Sequence, residues 1–142
     1  MKKAILFSLV VGMILMFASL AMAKKEPGSV PQPENLTCIV GSGLVTFDWD
    51  DVATAVKYSL DVDVEVDSDG DGENDMTVEF SVSTVESIAI ISTTEFVYDI
   101  DGDGSPDQLT GPATAKVKGL DPGKGKGRQN NLFSEPCDFN LP

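Results

Sequence analysis

Two nine-residue stretches of the sequence carry the same spacing of aspartate and glycine. Residues 67–75 read DSDGDGEND and residues 99–107 read DIDGDGSPD, so both match D-x-D-G-D-G-x-x-D. Carboxylates at alternate positions of a tight loop can turn toward one point, where they form a shell of hard oxygen ligands for a cation. Glycine at the fourth and sixth positions allows the backbone to turn where a side chain would clash. The repeat therefore predicts two cation sites; solvated acidic turns are the alternative.

Calcium is the ion that this pattern fits best, because calcium accepts six to eight oxygen ligands in a flexible shell. In each loop we expect carboxylate ligands from the first, third, fifth and ninth positions and a backbone carbonyl from the seventh. The expected ligands are Asp67, Asp69, Asp71, Glu73 and Asp75 in the first loop, and Asp99, Asp101, Asp103, Ser105 and Asp107 in the second. Magnesium or manganese is the weaker alternative, since four fixed carboxylates suit the larger ion.

The composition argues against an enzyme and against a nucleic-acid partner. The 142 residues include 23 acidic and 10 basic side chains, a formal charge of −13, and no histidine. The commonest general base, the usual nucleophile pairs and the usual zinc ligands are therefore missing. A pI near 4.1 disfavours binding to nucleic acid. Asp61 and Asp63 lie two residues apart beside Glu65 on one predicted strand, which is typical of a solvated sheet face rather than of an acid/base pair.

The first 23 residues have the pattern of a secretory signal peptide. Lys2 and Lys3 precede an apolar run over residues 4–20, and residues 21–23 (AMA) provide the small residues that signal peptidase requires. An uncleaved membrane anchor is the alternative, because the run is near the minimum length for spanning a bilayer. Residues 24–34 are rich in proline and predict an extended linker, which leaves residues 35–142 as one domain. We therefore expect a secreted protein, extracellular, at the cell surface or periplasmic, with no membrane attachment after cleavage.

Two cysteines lie near opposite ends of this domain. Cys38 and Cys137 are the two cysteines of the chain, and an oxidising compartment favours one disulfide between the first and the last strand. Two free thiols are the alternative. The bridge would close a loop of about 100 residues, which the chain-entropy model values at up to about 4–5 kcal/mol.

Apolar residues alternate with polar ones along most of the domain, which predicts strands. The clearest run is 56–66, where valine, tyrosine and leucine alternate with an acidic face, and 76–82 returns in the same manner. Shorter strands are expected over 36–40, 45–49, 87–92, 96–100, 113–117 and 133–139. Seven or eight short strands without a helical stripe predict an all-β fold, an antiparallel β-sandwich.

The run over residues 33–62 resembles the opening of a fibronectin type III domain. Pro33, Leu36, Trp49 and Tyr58 occupy the places of the proline, leucine, tryptophan and tyrosine of that family. Residues 115–136 resemble its penultimate strand, the following loop and the Ser-x-Pro of its last strand. The tyrosine of the penultimate strand is absent, so an immunoglobulin-like relative of the same sandwich stays open. The resemblance implies that both aspartate loops lie at one end of the sandwich and the loop 119–131 at the other.

The aspartate loops themselves resemble the calcium loops of integrin-type propeller blades and related bacterial surface proteins, which lie in β-hairpins. The resemblance covers nine residues per copy and implies aspartate ligands at the first, third, fifth and ninth positions. A helical calcium loop would need an acid at its twelfth position, where Val78 and Thr110 stand.

A glycine-rich basic loop is the candidate surface for a partner. Lys124, Lys126 and Arg128 lie within GLDPGKGKGRQNN and could hold phosphate, sulfate or carboxylate. A loop whose charge only maintains solubility is the alternative. The sequence thus favours a non-catalytic, calcium-stabilised module that binds an extracellular protein or glycan, or adheres to one. A subunit of a surface filament or matrix is the alternative, and a small secreted glycan hydrolase is a weaker one.

Overall fold

The computed structural model describes residues 30–120 and 132–142. Nine strands form in this part of the chain, and one 3₁₀ turn (Thr93–Glu95) separates the fifth from the sixth. The strands are β1 (Thr37–Gly41), β2 (Leu44–Asp48), β3 (Lys57–Val66), β4 (Met76–Thr84), β5 (Ile88–Ser92), β6 (Val97–Tyr98), β7 (Asp107–Gln108), β8 (Gly111–Leu120) and β9 (Cys137–Leu141).

Seven of these strands build two antiparallel sheets. One sheet has the order β1-β2-β5 and the other the order β4-β3-β8-β9, whereas β6 and β7 pair with each other as a short hairpin. The inner faces of the two sheets enclose one core, and the rings of Phe47 (β2) and Phe139 (β9) meet there with centroids 5.5 Å apart. The prediction of an all-β antiparallel sandwich is confirmed.

The alternation along β3 determines which side chains enter the core. Its apolar side chains are all buried, with exposed fractions of 7% or less: Tyr58, Leu60, Val62, Val64 and Val66. Because successive strand residues point to opposite faces, the intervening carboxylates lie on the outer face of the sheet. Two of these carboxylates, those of Asp63 and Asp61, face lysines of β8: Lys116 Nζ lies 3.4 Å from Asp63, and Lys118 Nζ lies 4.0 Å from Asp61.

The chain before β1 packs against the sandwich. Val30 is 4% exposed and Pro33 is among the fully buried side chains, so the described part of the predicted linker contributes to the core. A Cβ on Gly119 would come within 2.5 Å of Val30 Cγ1, which shows how closely this segment approaches β8.

The bounds of several strands differ from the predicted ones, and β8 is longer than the predicted 113–117. The predicted strand over 96–100 is reduced to Val97–Tyr98, because Phe96 turns into the core and Asp99 already begins the aspartate loop. The last strand begins at Cys137 rather than at Phe133, and β3 begins at Lys57 rather than at Val56, whose side chain is 48% exposed. In the described residues there is no helix long and apolar enough to cross a membrane.

Candidate metal sites

The two aspartate loops connect to the same end of one strand pair. Residues 67–75 leave β3 after Val66, and the hairpin that holds residues 99–107 leads through Leu109 into β8 at Gly111. Strands β3 and β8 are antiparallel, and Val64 lies opposite Ala113. The end of β3 and the start of β8 therefore lie side by side at one end of the sandwich, as the fibronectin-like arrangement implies.

The first aspartate of each loop holds the backbone of its own turn. In the first loop the Asp67 carboxylate accepts hydrogen bonds from the amides of Gly70 and Gly72, both at 2.7 Å. In the second loop the Asp99 carboxylate accepts from Gly102 at 2.8 Å and from Gly104 at 2.9 Å. The same two oxygens thus engage the same two positions in both copies.

The remaining aspartates repeat this correspondence. At the third and fifth positions, each aspartate accepts a hydrogen bond from the amide two residues later. The bonds are Asp69 from Asp71 (3.2 Å), Asp71 from Glu73 (2.8 Å), Asp101 from Asp103 (3.1 Å) and Asp103 from Ser105 (2.7 Å). The ninth position closes the ring, since Asp75 accepts from the Ser68 amide at 2.8 Å and Asp107 from the Ile100 amide at 3.1 Å. The two loops therefore share one set of backbone contacts, although their variable positions differ.

Glycine is required where these amides turn inward. Gly72 has φ +92° and Gly104 has φ +89°, a region that side chains with a Cβ rarely adopt. Their matching values show that both copies make the same turn.

Hydrogen bonds to the carboxylates stabilise their charged form in the first loop. The amide of Gly72, followed by that of Gly70, lowers the pKa of Asp67 despite some desolvation. The Ser68 amide and hydroxyl likewise lower the pKa of Asp75. Both carboxylates are therefore ionised at neutral pH, the state in which a carboxylate binds a metal ion.

Three carboxylates converge in each loop. Oxygens of Asp67, Asp69 and Asp71 all lie within 4.8 Å of one another, as do those of Asp99, Asp101 and Asp107. Two ligands of a single calcium ion, each about 2.4 Å from it, are separated by at most about 4.8 Å. Since a carboxylate has about four acceptor sites, one amide contact per oxygen leaves capacity for an ion. The donor set therefore fits a hard divalent cation.

In each loop, one of the four carboxylates predicted as ligands lies outside the cluster of three. Asp75 lies outside the first cluster and instead accepts from the Ser68 amide and hydroxyl, both at 2.8 Å. In the second loop the outlying carboxylate is that of Asp103, whose oxygen accepts the 2.7 Å bond from Ser105. The role of the Glu73 and Ser105 carbonyls as ligands stays a prediction.

The structure pairs the two cysteines as predicted. Cys38 in β1 and Cys137 in β9 form a disulfide with a Cα–Cα distance of 6.1 Å, which joins edge strands of the two sheets. The basic residues Lys124, Lys126 and Arg128, together with residues 1–23, lie outside the described residues. The proposals for an anion-binding loop and for a leader therefore stay predictions.

Sequence reasoning missed the partners of Lys116 and Lys118. Both belong to the basic end of the chain by sequence, but strand pairing directs them to Asp63 and Asp61 on the outer face. The ring of Phe133 covers the same two ammonium groups, with Lys118 Nζ 4.3 Å from its centroid. Alternation along 113–118 indicated that both lysines point outward, but nothing local identified the strand beside them.

Comparison with solved structures finds fibronectin type III-like proteins. A crystal structure of a Fn3-like protein from Clostridium thermocellum is 11% identical, with 78% of this chain and 92% of that chain covered and a TM-score of 0.42. The solution structure of the third fibronectin III domain of human KIAA0343 protein is 16% identical, with 87% and 93% covered and a TM-score of 0.46. No protein-family model and no curated protein matches the chain.

Proposed function

We propose that the protein is a secreted module that binds two calcium ions, one in each aspartate loop. The observation that carries the proposal is the correspondence of the two loops, in which Asp67 and Asp99 organise the same turn and three carboxylates converge beside it. Two segments with different variable residues share the same backbone hydrogen bonds, although the third converging carboxylate is that of Asp71 in the first loop and that of Asp107 in the second.

In this proposal, the bound ions stabilise the folded state. Each loop concentrates four aspartates that repel one another, and backbone amides offset only part of that repulsion. A divalent ion that binds the folded loop and not the unfolded chain adds stability according to its concentration. Calcium would therefore fix the end of the sandwich where β3, β4, β8 and the β6–β7 hairpin meet.

Secretion is the second part of the proposal. The leader pattern over residues 1–23 supports export, and the Cys38–Cys137 disulfide is consistent with an oxidising compartment. Extracellular calcium is abundant enough for sites of micromolar to millimolar affinity.

A non-catalytic binding or adhesion role completes the proposal, with an extracellular protein or glycan as the partner. The sequence has no histidine. The carboxylates of Asp61 and Asp63 are already engaged, since Asp61 accepts hydrogen bonds from Ser59 and Ser81 and Asp63 pairs with Lys116. These contacts support an outer sheet face built for solubility and strand pairing rather than for acid/base chemistry.

Calorimetric titration of the calcium-stripped protein with calcium tests the metal sites. We expect two ions per chain in the wild type, one in Asp69→Asn, one in Asp101→Asn and none in the double variant. These positions are chosen because each contributes one weak amide contact (3.2 and 3.1 Å) and should not hold the turn together.

A matched control removes the same charge elsewhere. Glu79→Gln with Asp138→Asn changes two exposed acids outside the loops, and this protein should still bind two ions. Equal heats in the wild type and in the Asp69→Asn/Asp101→Asn variant, with both folded by circular dichroism, would contradict the proposal. A titration with magnesium serves as the comparison, and we expect weaker binding.

A further inference from the structure

Among the edge strands of the described sandwich, β5 has neither a charged side chain nor a disulfide to another strand. The sheet orders place β1 and β5 at the edges of one sheet and β4 and β9 at the edges of the other. Strands β1 and β9 are held together by the Cys38–Cys137 disulfide, and β4 carries Glu79. Natural edge strands use such charges and covers to avoid pairing with other chains. Residues 87–94 contain no charged side chain and no proline, although the chain carries a net charge of −13.

The backbone of β5 presents open hydrogen-bonding groups on the side away from β2. The Thr93 amide donates to the Gly43 carbonyl at 2.9 Å, and the Trp49 amide donates to the Ser87 carbonyl at 3.1 Å. Ser87 and Thr93 therefore direct their backbone groups toward β2, and the period of two makes residues 89 and 91 do the same. Consequently the amides and carbonyls of residues 88, 90 and 92 point toward the free edge.

The same residues expose apolar side chains. Ile88 is 42% exposed and Ile90 is 60% exposed, both on the outer face of the sheet. The register places Thr46 between Ile90 and Ile39, and Ile39 is 63% exposed. Together with Leu44 these side chains form an apolar patch on the order of a few hundred Å², a size that often marks an interaction surface. Open backbone groups and apolar side chains thus coincide on β5.

We infer that β5 pairs antiparallel with β5 of a second copy of this chain, about a two-fold axis through Ile90. This register places Ile90 opposite Ile90 of the second copy and Ile88 opposite Ser92, and the two three-stranded sheets become one sheet of six strands. Residues 88, 90 and 92 of each copy would all have backbone partners. The apolar row Ile39–Thr46–Ile90 then continues across the axis.

The charge distribution favours a second copy as the occupant. A second copy presents an uncharged strand in the required register, so no like charges face each other within residues 87–93. The outer face of the other sheet carries five acids against three lysines, and this net negative charge would repel a second copy; the acids are Asp61, Asp63, Glu65, Glu79 and Asp138, and the lysines are Lys57, Lys116 and Lys118. The contact involves β5 and the side chains beside the axis, and it does not cover Ile39 on β1. It is therefore smaller than the roughly 800 Å² per partner of a standard interface, and the dimer should be reversible.

Sedimentation of the purified protein at increasing concentration tests this pairing. The wild type should approach twice the monomer mass, with calcium and also with chelator. Ile90→Lys should raise the dissociation constant at least about tenfold, because the axis brings two ammonium groups opposite each other. Ile39→Lys is the matched control: it adds the same charge to an equally exposed isoleucine of the same row, but on β1, and should change the dissociation constant less than about twofold.

Covalent trapping gives a second readout. Both cysteines of the chain are already paired, so Ile90→Cys would add a single free thiol. Across the axis the two Cα atoms would be about 5.5 Å apart, within the range for a disulfide. Mild oxidation should therefore produce a linked dimer from Ile90→Cys and not from Ile39→Cys. A wild type that stays monomeric to millimolar concentration, an equal loss of association in both lysine variants, or a calcium-dependent dimer that survives Ile90→Lys would overturn the inference.

Discussion

The ring of Phe96 meets the ring of Phe80 edge to face, with centroids 5.2 Å apart and an interplanar angle of 81°. Phe80 lies on β4, the strand that follows the first aspartate loop, and Phe96 begins the hairpin that holds the second. The Phe96 carbonyl also accepts a 2.9 Å hydrogen bond from the Leu109 amide on the return arm of that hairpin. One aromatic contact therefore fastens the hairpin of the second loop to the sheet that holds the first.

Replacement of Phe96 by alanine should lower the free energy of unfolding by about 3–5 kcal/mol. The side chain is 2% exposed, so its loss leaves a cavity and removes the contact with Phe80. Urea unfolding measures the change. Val97→Ala, at a neighbouring side chain that is 37% exposed, should cost less than about 1 kcal/mol, and equal losses would contradict the role of this contact.

A methyl group on Gly72 should destabilise the first loop through its backbone alone. The position has φ +92° and nothing within 4 Å of an added Cβ, so Gly72→Ala creates strain without a clash, at a cost of about 1–2 kcal/mol. Gly41→Ala is the control, since Gly41 has equally open space and no left-handed φ. We expect weaker calcium binding in Gly72→Ala and unchanged binding in Gly41→Ala by calorimetry.

Each of the two calcium ions should add the same amount to the free energy of unfolding. At ten times the dissociation constant, each bound ion adds about 1.4 kcal/mol to the free energy of unfolding. In urea denaturation, the free energy of unfolding with calcium should therefore exceed that with chelator by about twice this value in the wild type. In Asp69→Asn or Asp101→Asn, where one ion binds, the difference should be about half of the wild-type difference. No difference in the wild type at saturating calcium would mean that the loops do not couple binding to folding.

The hydroxyl of Tyr58 should give stability that disappears at alkaline pH. It donates to Asp51 Oδ1 at 2.6 Å and accepts from the Val52 amide at 2.7 Å. Burial, and then the hydrogen bond to Asp51, raises the pKa of Tyr58 above its ordinary value. Since the folded state favours the neutral phenol, this stability is complete below the unfolded pKa of about 10 and is lost as the pH rises through the raised pKa.

The variant Tyr58→Phe isolates that contribution. At neutral pH it should lose about 1–3 kcal/mol, because the Val52 amide is left without its acceptor. The gap to the wild type should narrow above a pH of about 10, as followed by urea unfolding across pH. Tyr98→Phe, at a residue 47% exposed, should match the wild type at neutral pH. If the difference in stability between Tyr58→Phe and the wild type instead grew with pH, folding would not raise the pKa of Tyr58.

Loss of the disulfide should be the largest single effect on stability. Cys38 and Cys137 are separated by 99 residues, and the chain-entropy model assigns about 4–5 kcal/mol to a loop of that length. Cys38→Ala with Cys137→Ala should show this loss in urea, and reduction of the wild type should reproduce it. A loss below about 1 kcal/mol would mean that the contacts between β1 and β9 hold these edges without the bond.

The sequence predicted the features that depend on neighbouring residues. Alternation identified the inward side of β3 from Tyr58 to Val66, because a strand has a period of two whatever lies beside it. The repeated spacing of aspartate and glycine predicted two equivalent turns, since each loop is held by bonds among its own nine residues and the chain at its ends. The cysteine pairing was predictable too, because only two cysteines exist.

The sequence could not predict the contacts that depend on which strands meet. It identified no partner for Lys116, whereas strand pairing puts its ammonium group 3.4 Å from Asp63. It gave no signal that Phe96 would leave a predicted strand to pack on Phe80, or that Val30 and Pro33 would be buried.

The sequence by itself thus determined the sandwich class, the two loops and the disulfide, which follow from local periodicity, local hydrogen bonding and a single possible pairing. Tertiary structure decided the order of the strands, the partners of Lys116 and Lys118, and the identity of β5 as the uncharged open edge. The physical reason is that strand order depends on many weak contacts between residues far apart in the chain, such as Phe47 with Phe139, and no local pattern encodes their sum.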